Sequence, residues 1–425
     1  MKVFLDTVGC RLNQSEIEAM AGQFRAAGHE IVGAAETADL AVVNTCAVTA
    51  QAASDSRAAI RRIARAAAVD IVATGCWVTL EPASAGALPG VKWAVVNASK
   101  DRLVATVLGL PESDFELEPI ARQPLPGLRQ RTRAFIKVQD GCDNHCTFCV
   151  TTVTRGRGRS RPIAAVLADI RAALQGGVQE IVLTGVHLGS WGQDFGSHLR
   201  WLLRAILDET DVARLRMSSL EPWDLGEEFF ALWEDPRLCR HLHLPLQSGC
   251  AATLKRMARR ATPETFRGLV AAARGIMPEV AITTDVIAGF PGETESEFRE
   301  SLAFVREMTF AGGHAFRYSP RPGTAALRLG NQVPPGVRRD RNTVWRMLFA
   351  EQAAAYRNAF VGQTAPVLWE ATTLMNGSGW QLEGWTGNYI RVTACAPDQR
   401  WNVIDAVDLT GRSESGLNGV IRNSG

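Results

Sequence analysis

The sequence predicts an α/β fold with three parts: an N-terminal parallel α/β domain, a partial (β/α)6 barrel and a small all-β barrel at the C-terminus. Short apolar runs alternate with helical periodicity through about the first 110 residues, and again from about residue 131 to residue 357. Alternation of strands with helices indicates parallel sheets. After about residue 360 the helical pattern stops, and short strands are separated by Gly and Asn turns. That pattern is typical of a small all-β barrel.

Four strands and two helices are predicted in the N-terminal part. The helices cover residues 13–27 and 52–68. The strands cover residues 3–5, 40–44, 70–74 and 93–96. Loops that carry function in a parallel sheet lie at the carboxyl ends of its strands, so the residues that directly follow these runs are candidates for a site. Prolines and a glycine then interrupt residues 113–130, which we interpret as a linker.

Six strands are predicted in the central part, and the helices between them complete a partial (β/α) barrel. These strands cover residues 134–138, 180–184, 214–218, 241–245, 281–288 and 313–318. The active site of such a barrel lies at the carboxyl ends of its strands. Four further strands are predicted near the C-terminus, at residues 365–369, 380–384, 389–392 and 401–404. The expected domains therefore cover residues 1–112, 131–358 and 359–425.

The composition is that of a folded protein, because 46% of the 425 residues are hydrophobic and 21% are charged. No apolar run reaches the roughly 18 residues of a membrane-spanning helix, and Asp6 interrupts any signal-peptide pattern. We therefore expect a cytoplasmic protein without a membrane partner. The formal net charge of +2 is no strong argument for a nucleic-acid partner, so any RNA contact must come from local patches. The nine cysteines are rarely disulfides in a reducing cytosol.

The strongest chemical signal is the pattern Cys-x3-Cys-x2-Cys formed by Cys142, Cys146 and Cys149, directly after a predicted strand. Three thiolates on one short loop can hold three irons of a [4Fe–4S] cluster. The fourth iron then has no protein ligand, and an open coordination position is where a cofactor or substrate binds a metal. A structural zinc loop is the alternative. Zinc sites usually combine Cys-x2-Cys pairs into four ligands, and His145 is the one nearby residue that offers a fourth.

This loop, its strand and the barrel resemble the radical S-adenosylmethionine (SAM) superfamily, and the whole chain resembles the methylthiotransferase family. The resemblance implies that SAM fills the open position and that the reduced cluster breaks a C–S bond of SAM with one electron. A 5′-deoxyadenosyl radical then abstracts hydrogen from the substrate. The resemblance also implies a cofactor-binding role for five residues at strand ends: Thr184, Gly185, Glu221, Gln247 and Asp285. For the last three, the alternative is a polar residue that caps the next helix.

Three further cysteines each follow a predicted strand of the N-terminal part: Cys10, Cys46 and Cys76. Their strands would bring them to one sheet edge, although a single cysteine is more often a buried apolar residue. The family resemblance implies that they hold a second, auxiliary [4Fe–4S] cluster, which carries the sulfur that is methylated by one SAM and then transferred. The remaining cysteines match no ligand position, and we interpret them as free thiols: Cys239, Cys250 and Cys395.

Several stretches are similar to one subfamily, the tRNA threonylcarbamoyladenosine methylthiotransferases. They include residues 12–14, 44–49, 218–222 and 318–324. This resemblance implies conversion of N6-threonylcarbamoyladenosine, next to the anticodon of tRNA, to its 2-methylthio derivative. Two departures concern the substrate pocket, because Thr152 stands where the family usually has proline and His187 where the subfamily commonly has asparagine.

Other functions remain open at this point. The same chemistry on ribosomal protein S12, or on isopentenyladenosine in tRNA, differs only in its substrate. A non-catalytic iron–sulfur protein that binds RNA and senses redox state would bind clusters without cleaving SAM. A cobalamin-dependent radical methylase is a minor option, because the N-terminal part shows no Asp-x-His-x-x-Gly cobalamin signature.

Four arginines follow the cysteine loop within seven residues: Arg155, Arg157, Arg159 and Arg161. Alternating Arg and Gly form a mobile basic arm suited to RNA phosphates, and the alternative is a solvated turn before the next helix. The C-terminal barrel resembles a TRAM domain, which binds RNA in this family. Four of its aromatic side chains are candidates for stacking on bases or for core packing: Trp369, Trp380, Trp385 and Tyr389. The expected partners are the anticodon stem-loop of tRNA and an electron donor such as flavodoxin or ferredoxin.

Overall fold

The computed structural model describes residues 1–111, 132–375 and 379–422, so the linker predicted at residues 113–130 lies outside the described residues. The strands of the N-terminal part are β1 (Lys2–Thr7), β2 (Glu30–Val32), β3 (Leu40–Thr45), β4 (Asp70–Gly75) and β5 (Val91–Val95). They form one parallel sheet in the order β2-β1-β3-β4-β5. The four predicted strands are confirmed, and the structure adds the three-residue strand β2.

Helices cover both faces of this sheet. They are α1 (Arg11–Ala26), α2 (Ala50–Ala66), α3 (Cys76–Leu80), α4 (Pro82–Gly86) and α5 (Leu103–Leu108). The central strand β3 is buried on both faces, because Val42 packs in the apolar cluster beneath α1 and Val43 in the cluster beneath α2. Helix α2 begins where it does because the Thr49 hydroxyl accepts a hydrogen bond from the Ala52 N–H at 3.0 Å, which is a favourable N-cap.

The central part contains six parallel strands in barrel order, as predicted, together with two short strands that form a separate pair. Its strands are β6 (Arg133–Lys137), β7 (Gln139–Asp140), β8 (Arg159–Ser160), β9 (Glu180–Thr184), β10 (Arg214–Met217), β11 (His241–His243), β12 (Ala281–Ala288) and β13 (Gly312–Arg317). Two three-stranded parallel sheets, β6-β9-β10 and β11-β12-β13, are joined by a parallel bridge between Ser219 and His243. The short strands β7 and β8 pair with each other and flank the cysteine loop.

Helix α6 (Thr151–Arg155) follows the cysteine loop and packs against α3 of the N-terminal part. The other helices surround the partial barrel on its outer face. They are α7 (Ile163–Gln175), α8 (Leu199–Glu209), α9 (Glu227–Phe230), α10 (Ala251–Arg256), α11 (Pro263–Ile276), α12 (Glu295–Met308) and α13 (Pro335–Asn358). Helix α1 of the N-terminal part packs along β6, where the Lys137 N–H donates to Ser15 Oγ at 3.0 Å. Among the residues that the structure describes, no helix has both the length and the hydropathy that crossing a bilayer requires.

Five strands close into a barrel near the C-terminus, which confirms the predicted fold class. They are β14 (Thr364–Leu374), β15 (Trp380–Thr386), β16 (Arg391–Ala396), β17 (Ile404–Arg412) and β18 (Leu417–Ile421). Two details differ from prediction. The run 401–404 is mostly a turn, because β17 starts only at Ile404. Strand β18 is not predicted, because Gly419 interrupts the alternation of its short apolar run.

The turn between β15 and β16 covers the amino end of the partial barrel. The Tyr389 hydroxyl lies 2.9 Å from Arg11 Nη2 and 2.8 Å from Arg133 Nη1. Arg216 stacks on the Tyr389 ring, with its guanidinium carbon 4.2 Å from the ring centroid. Tyr389 is therefore used for packing, as is the fully buried Trp369, so of the two alternatives left open by the sequence, packing holds for these two side chains.

We expect the Glu180 carboxylate to be a main source of stability at this end. Burial alone would raise the pKa of Glu180, but Arg216 and Arg214 outweigh burial and lower that pKa to about 2. The Arg216 Nε atom lies 2.6 Å from the carboxylate. Glu180→Gln leaves both arginines without their partner, so the free energy of unfolding at neutral pH should fall by about 3–5 kcal/mol. The free energy of unfolding is measured by urea denaturation, with circular dichroism as the signal.

The same pair predicts a pH dependence. A carboxylate whose pKa is depressed on folding contributes stability above its ordinary pKa, and that stability is lost as the pH falls through the folded-state value. The difference between wild type and Glu180→Gln should therefore shrink between about pH 4.5 and pH 2. Glu307→Gln, at an exposed pair with Arg267, is the control and should leave the unfolding midpoint almost unchanged. An equal loss for Glu180→Gln at neutral and acidic pH would contradict this account.

Candidate functional site

The cysteine loop follows the carboxyl end of β6 and is closed by the backbone. The Cys142 N–H donates to Gly156 O at 3.0 Å. Gly141 is required at the preceding position, because its φ is +68° and a Cβ there would lie 1.9 Å from the carbonyl oxygen of Arg157. The loop therefore holds three half-buried thiols on one turn: Cys142, Cys146 and Cys149.

Two thiols of this loop, those of Cys146 and Cys149, hold their protons strongly. Burial raises the pKa of Cys146 to about 11, although Arg259, whose Nη1 lies 3.7 Å from the sulfur, opposes the shift. Burial also raises the pKa of Cys149, whose sulfur accepts a hydrogen bond from the Thr151 N–H at 3.4 Å. A metal that binds here must displace these protons, so metal binding is coupled to proton release.

The other predicted ligands meet at the carboxyl edge of the N-terminal sheet. The adjacent strands β1, β3 and β4 are followed by Cys10, Cys46 and Cys76. Gly9 packs directly on Cys46, since its φ is +109° and a Cβ there would lie 2.7 Å from the Cys46 sulfur. Burial, together with the nearby thiols of Cys10 and Cys76, raises the pKa of Cys46 to about 11. Cys10 is the exposed member, so this group opens to solvent.

The donor chemistry of both groups fits an iron–sulfur cluster. Within residues 1–111, 132–375 and 379–422, no three His, Cys, Asp or Glu side chains converge closely enough to hold a single metal ion. A [4Fe–4S] cluster requires no such convergence, because each thiolate binds a separate iron. Each group of three thiols therefore suits a cluster with one open iron, and this geometry gives no support to a structural zinc loop.

Two predicted SAM contacts are carboxylates, and both already have a protein partner. Arg259 binds the Glu221 carboxylate through both terminal nitrogens, at 3.0 and 2.6 Å, in a bidentate geometry. Asp285 Oδ2 lies 3.2 Å from His243 Nε2. Its buried Oδ1 has no hydrogen-bond partner among the described residues. Asp285 is therefore the carboxylate with an oxygen available to a ligand.

The other three predicted contacts shape the backbone at the same end of the barrel. Gln247 has a positive φ of 71°, and its N–H donates to Asp285 O at 2.8 Å. Thr184 ends β9 and is buried. Gly185 leaves room for Gln139, because a Cβ at Gly185 would lie 3.1 Å from Gln139 Oε1. These residues position the strand ends around the cysteine loop.

Sequence reasoning misses Arg259, a buried cation beside the cysteine loop. Its guanidinium carbon lies 4.5 Å from the centroid of the Trp223 ring, and the same side chain contacts Glu221 and Cys146. No local pattern could have revealed it, because the contact with Cys146 spans 113 residues of sequence.

His187, singled out above only as a departure from the subfamily, links the barrel wall to the cysteine loop. Its Nε2 lies 2.6 Å from Asp224 Oδ2, and its Nδ1 lies 3.2 Å from Asn144 Nδ2. Burial would lower the pKa of His187, but hydrogen bonds to Asp224 and Cys142 outweigh burial and raise that pKa to about 10.

The four predicted RNA-binding arginines differ in their surroundings. Arg155 is buried and pairs with Glu16 at 2.8 Å and Asp140 at 2.9 Å. The prediction that Arg155 contacts RNA is therefore wrong, since these carboxylates and the protein interior hold its guanidinium. Arg161 is partly exposed and pairs with Asp169 at 2.7 Å. The two that remain exposed are Arg157 and Arg159.

Two family descriptions match the chain. Residues 2–96 match the uncharacterized protein family UPF0004, and residues 136–305 match the radical SAM superfamily. The first stretch contains the three cysteines of the N-terminal sheet, and the second contains the cysteine loop.

Curated relatives match nearly the whole chain. A threonylcarbamoyladenosine tRNA methylthiotransferase, MtaB, from Thermotoga maritima is 36% identical, over 87% of this chain and 86% of the relative. An MtaB enzyme from Bacillus subtilis is 34% identical, over 92% of this chain and 89% of the relative. A tRNA-2-methylthio-N(6)-dimethylallyladenosine synthase from Maricaulis maris is 30% identical, over 100% of this chain and 98% of the relative.

A solved structure with the same fold is the radical SAM methyltransferase TsrM from Kitasatospora setae, with cobalamin and a [4Fe-4S] cluster bound. Its TM-score is 0.57 at 16% identity, and the match covers 76% of this chain and 76% of that chain. At this identity the likeness concerns the fold alone.

We expect each group of thiols to bind its own cluster. Cys142→Ala should remove about half of the iron from the reconstituted protein, and Cys10→Ala should remove about the other half, because each cluster contains roughly four irons. Iron and sulfide analysis measures the loss.

Cys239→Ala removes a buried thiol outside both groups and is the matched control, so it should keep all of the iron. The assignment to two separate clusters would be contradicted if Cys142→Ala or Cys10→Ala alone removed all of the iron or none of it.

Proposed function

The chain belongs to the radical-SAM methylthiotransferase family, and on that premise we propose that it converts N6-threonylcarbamoyladenosine in tRNA to 2-methylthio-N6-threonylcarbamoyladenosine. The observation that carries this proposal is the match, over almost the whole chain, to relatives named for this reaction. The dimethylallyladenosine relative matches at lower identity, so that substrate is not favoured.

Six cysteines would hold the two clusters: Cys142, Cys146 and Cys149 the one that binds SAM, and Cys10, Cys46 and Cys76 the auxiliary one. When bound, the clusters and SAM supply the one-electron cleavage of SAM and the sulfur and methyl of the transferred group. Arg259 places a fixed positive charge beside the cysteine loop, and this charge offsets part of the negative charge that thiolates bring into a buried site.

The barrel interior offers a polar wall for the substrate. His243 is in register with Thr283, and Asp285 is in register with His314. These side chains share one face of the sheet, and alternate residues such as Ile282 face the apolar core beneath the helices. Asp285, with its available oxygen, would accept a hydrogen bond from the substrate, and the two imidazoles would orient its polar groups.

The positions of the arginines and of the three parts of the chain suggest the proposed partners and domain roles. Arg157 and Arg159 lie beside the cysteine loop and would bind phosphates of the anticodon stem-loop. Residues 1–112, 131–358 and 359–425 would act as the auxiliary-cluster, SAM and TRAM-like RNA-binding domains. A flavodoxin or ferredoxin would supply the electron, and the reaction would take place in the cytoplasm.

We expect the exposed Arg157, whose side chain is 94% exposed, to make one phosphate contact. Arg157→Ala should weaken tRNA binding and reduce the slope of log K against log salt by about one. Fluorescence anisotropy between about 50 and 200 mM salt measures this slope. Arg299→Ala removes a comparably exposed arginine from the outer helix α12 and should leave the slope unchanged. An unchanged slope in Arg157→Ala as well would exclude the contact.

The reaction itself is tested in a host that lacks its own enzyme for this modification. Mass spectrometry of its tRNA nucleosides, with and without this protein, should show methylthio added to threonylcarbamoyladenosine. Cys142→Ala is the inactive control, because it removes a cluster ligand and leaves the RNA-binding surface intact.

The alternatives give different outcomes in the same experiment. Methylthio on isopentenyladenosine, or a mass increase on S12 peptides, would keep the reaction and overturn the substrate. Cluster binding without formation of 5′-deoxyadenosine from SAM under reducing conditions would favour the non-catalytic redox sensor.

A further inference from the structure

A buried ionic network lies between the two groups of cysteines. At its centre is Glu16 on α1, whose carboxylate lies 2.8 Å from Lys100 Nζ and 2.8 Å from Arg155 Nη1. The side chains of Glu16, Lys100 and Arg155 are each only 3% exposed. Asn44, two residues before Cys46, donates its amide to Glu16 Oε2 at 3.1 Å and accepts from Lys100 Nζ at 3.1 Å. The centre is therefore a closed set of paired polar groups.

Arg155 connects this centre to both groups of thiols. Its Nη1 donates to Asp140 Oδ1 at 2.9 Å, at the start of the cysteine loop. Its Nη2 donates to Asn13 Oδ1 at 2.9 Å. Asn13 is three residues from Cys10, whose protonated thiol donates to the same oxygen at 3.7 Å. The Asn13 Nδ2 donates to Thr45 O, next to Cys46, at 3.0 Å. Because Arg155 is the last residue of α6, the helix that follows the cysteine loop, one guanidinium contacts neighbours of both sites.

Asn97 makes a second connection. Its Nδ2 lies 3.6 Å from the Cys76 sulfur and donates to Thr154 O, in α6, at 2.9 Å. One amide group thus joins a thiol of the auxiliary group to the helix that begins after the cysteine loop. The two connections have different targets, because Asn97 contacts the Cys76 thiol and Arg155 contacts Asn13, three residues after Cys10.

The network is suited to fixing the distance between the two groups of cysteines. Group transfer between two centres depends steeply on their placement. Buried charges with several hydrogen bonds tolerate little displacement, because an unpaired charge in the interior is strongly unfavourable. Three cations and three anions take part, because Lys137 lies 3.5 Å from Asp140 and 3.2 Å from Asp101. The charges of the network are therefore balanced.

We propose that Arg155 and Asn97 are positioning residues that hold the auxiliary-cluster thiols at a fixed place relative to the cysteine loop, and thereby couple SAM cleavage to methylthio transfer. The coupling rests on the proposed function. The fixed placement of the two sites does not depend on the identity of the substrate.

The first test compares Arg155→Lys with the matched control Arg216→Lys in the reconstituted holoenzyme. Both arginines are buried and bind a carboxylate, but Arg216 binds Glu180 at the amino end of the barrel. A lysine keeps the charge, yet its single nitrogen cannot contact Glu16 and Asn13 together as the guanidinium does. The spin–spin interaction between the two reduced clusters, measured by electron paramagnetic resonance (EPR), should change in Arg155→Lys and remain as in wild type in Arg216→Lys.

Product analysis gives the second readout. In Arg155→Lys, the ratio of methylthiolated nucleoside to 5′-deoxyadenosine should fall roughly 10- to 100-fold, while SAM cleavage continues. A wild-type spin–spin interaction together with a wild-type product ratio in this variant overturns the role of Arg155. If wild-type protein modifies no threonylcarbamoyladenosine, the proposed function fails, and the EPR comparison still decides the placement.

Asn97→Leu tests the second connection without disturbing a buried charge, so it serves if Arg155→Lys does not fold. Leucine keeps the approximate shape and loses the donor to the Cys76 sulfur. Hydrogen bonds to cluster sulfurs raise the reduction potential, so the midpoint potential of the auxiliary cluster alone should fall. Asn342→Leu on α13, which removes a donor to Ala315 O on β13, is the control. An auxiliary-cluster potential unchanged from wild type in Asn97→Leu overturns the role of Asn97.

Discussion

In a parallel sheet, the loops that follow the strands all lie at the same edge. The chemistry of this protein depends on that constraint in both the N-terminal sheet and the partial barrel. The N-terminal sheet gathers three cysteines at its carboxyl edge, and the partial barrel presents the cysteine loop at the end of β6. Helix α1 then aligns the two edges. It starts directly after Cys10, and its Ser15 bonds to Lys137 at the carboxyl end of β6. Packing one helix along one edge strand therefore brings together groups that are far apart in sequence.

Burial disfavours the charged form of both thiols and arginines at these edges, but the arginines have partners that offset it. It raises the pKa of thiols such as Cys46 and Cys146, which makes their deprotonation depend on a bound metal. Arg155 and Arg259 remain charged when buried, because Arg155 has Glu16 and Arg259 has Glu221 as a carboxylate partner. The buried charges beside the cysteines are therefore already paired before any metal binds.

The sequence predicts those features that leave a local pattern. Strand β3 is predictable because a strand buried on both faces is a continuous apolar run. The cysteines are predictable because each follows a strand directly. Strand β2 is not, because three residues are too few to show a period.

Partners that lie far apart in sequence explain where the sequence is wrong or leaves alternatives open. Arg155 is in an Arg-Gly alternation that predicts an exposed arm, but its partner Glu16 lies 139 residues away. For Tyr389 the sequence leaves base stacking and packing open, because the arginine on which its ring packs belongs to a different part of the chain. In both cases tertiary contacts decide the role of a side chain whose neighbours in sequence do not.

The Tyr389 turn also has a consequence for biosynthesis. The carbonyl oxygens of Thr386 and Gly387 accept hydrogen bonds from Arg214 and Arg216 at the amino end of the partial barrel. A ribosome makes these residues only after every strand of that barrel has been synthesised, and domains generally fold as they emerge. During synthesis, the amino end of the partial barrel, with Arg214 and Arg216, therefore remains uncovered until the C-terminal strands have been made and have folded against it.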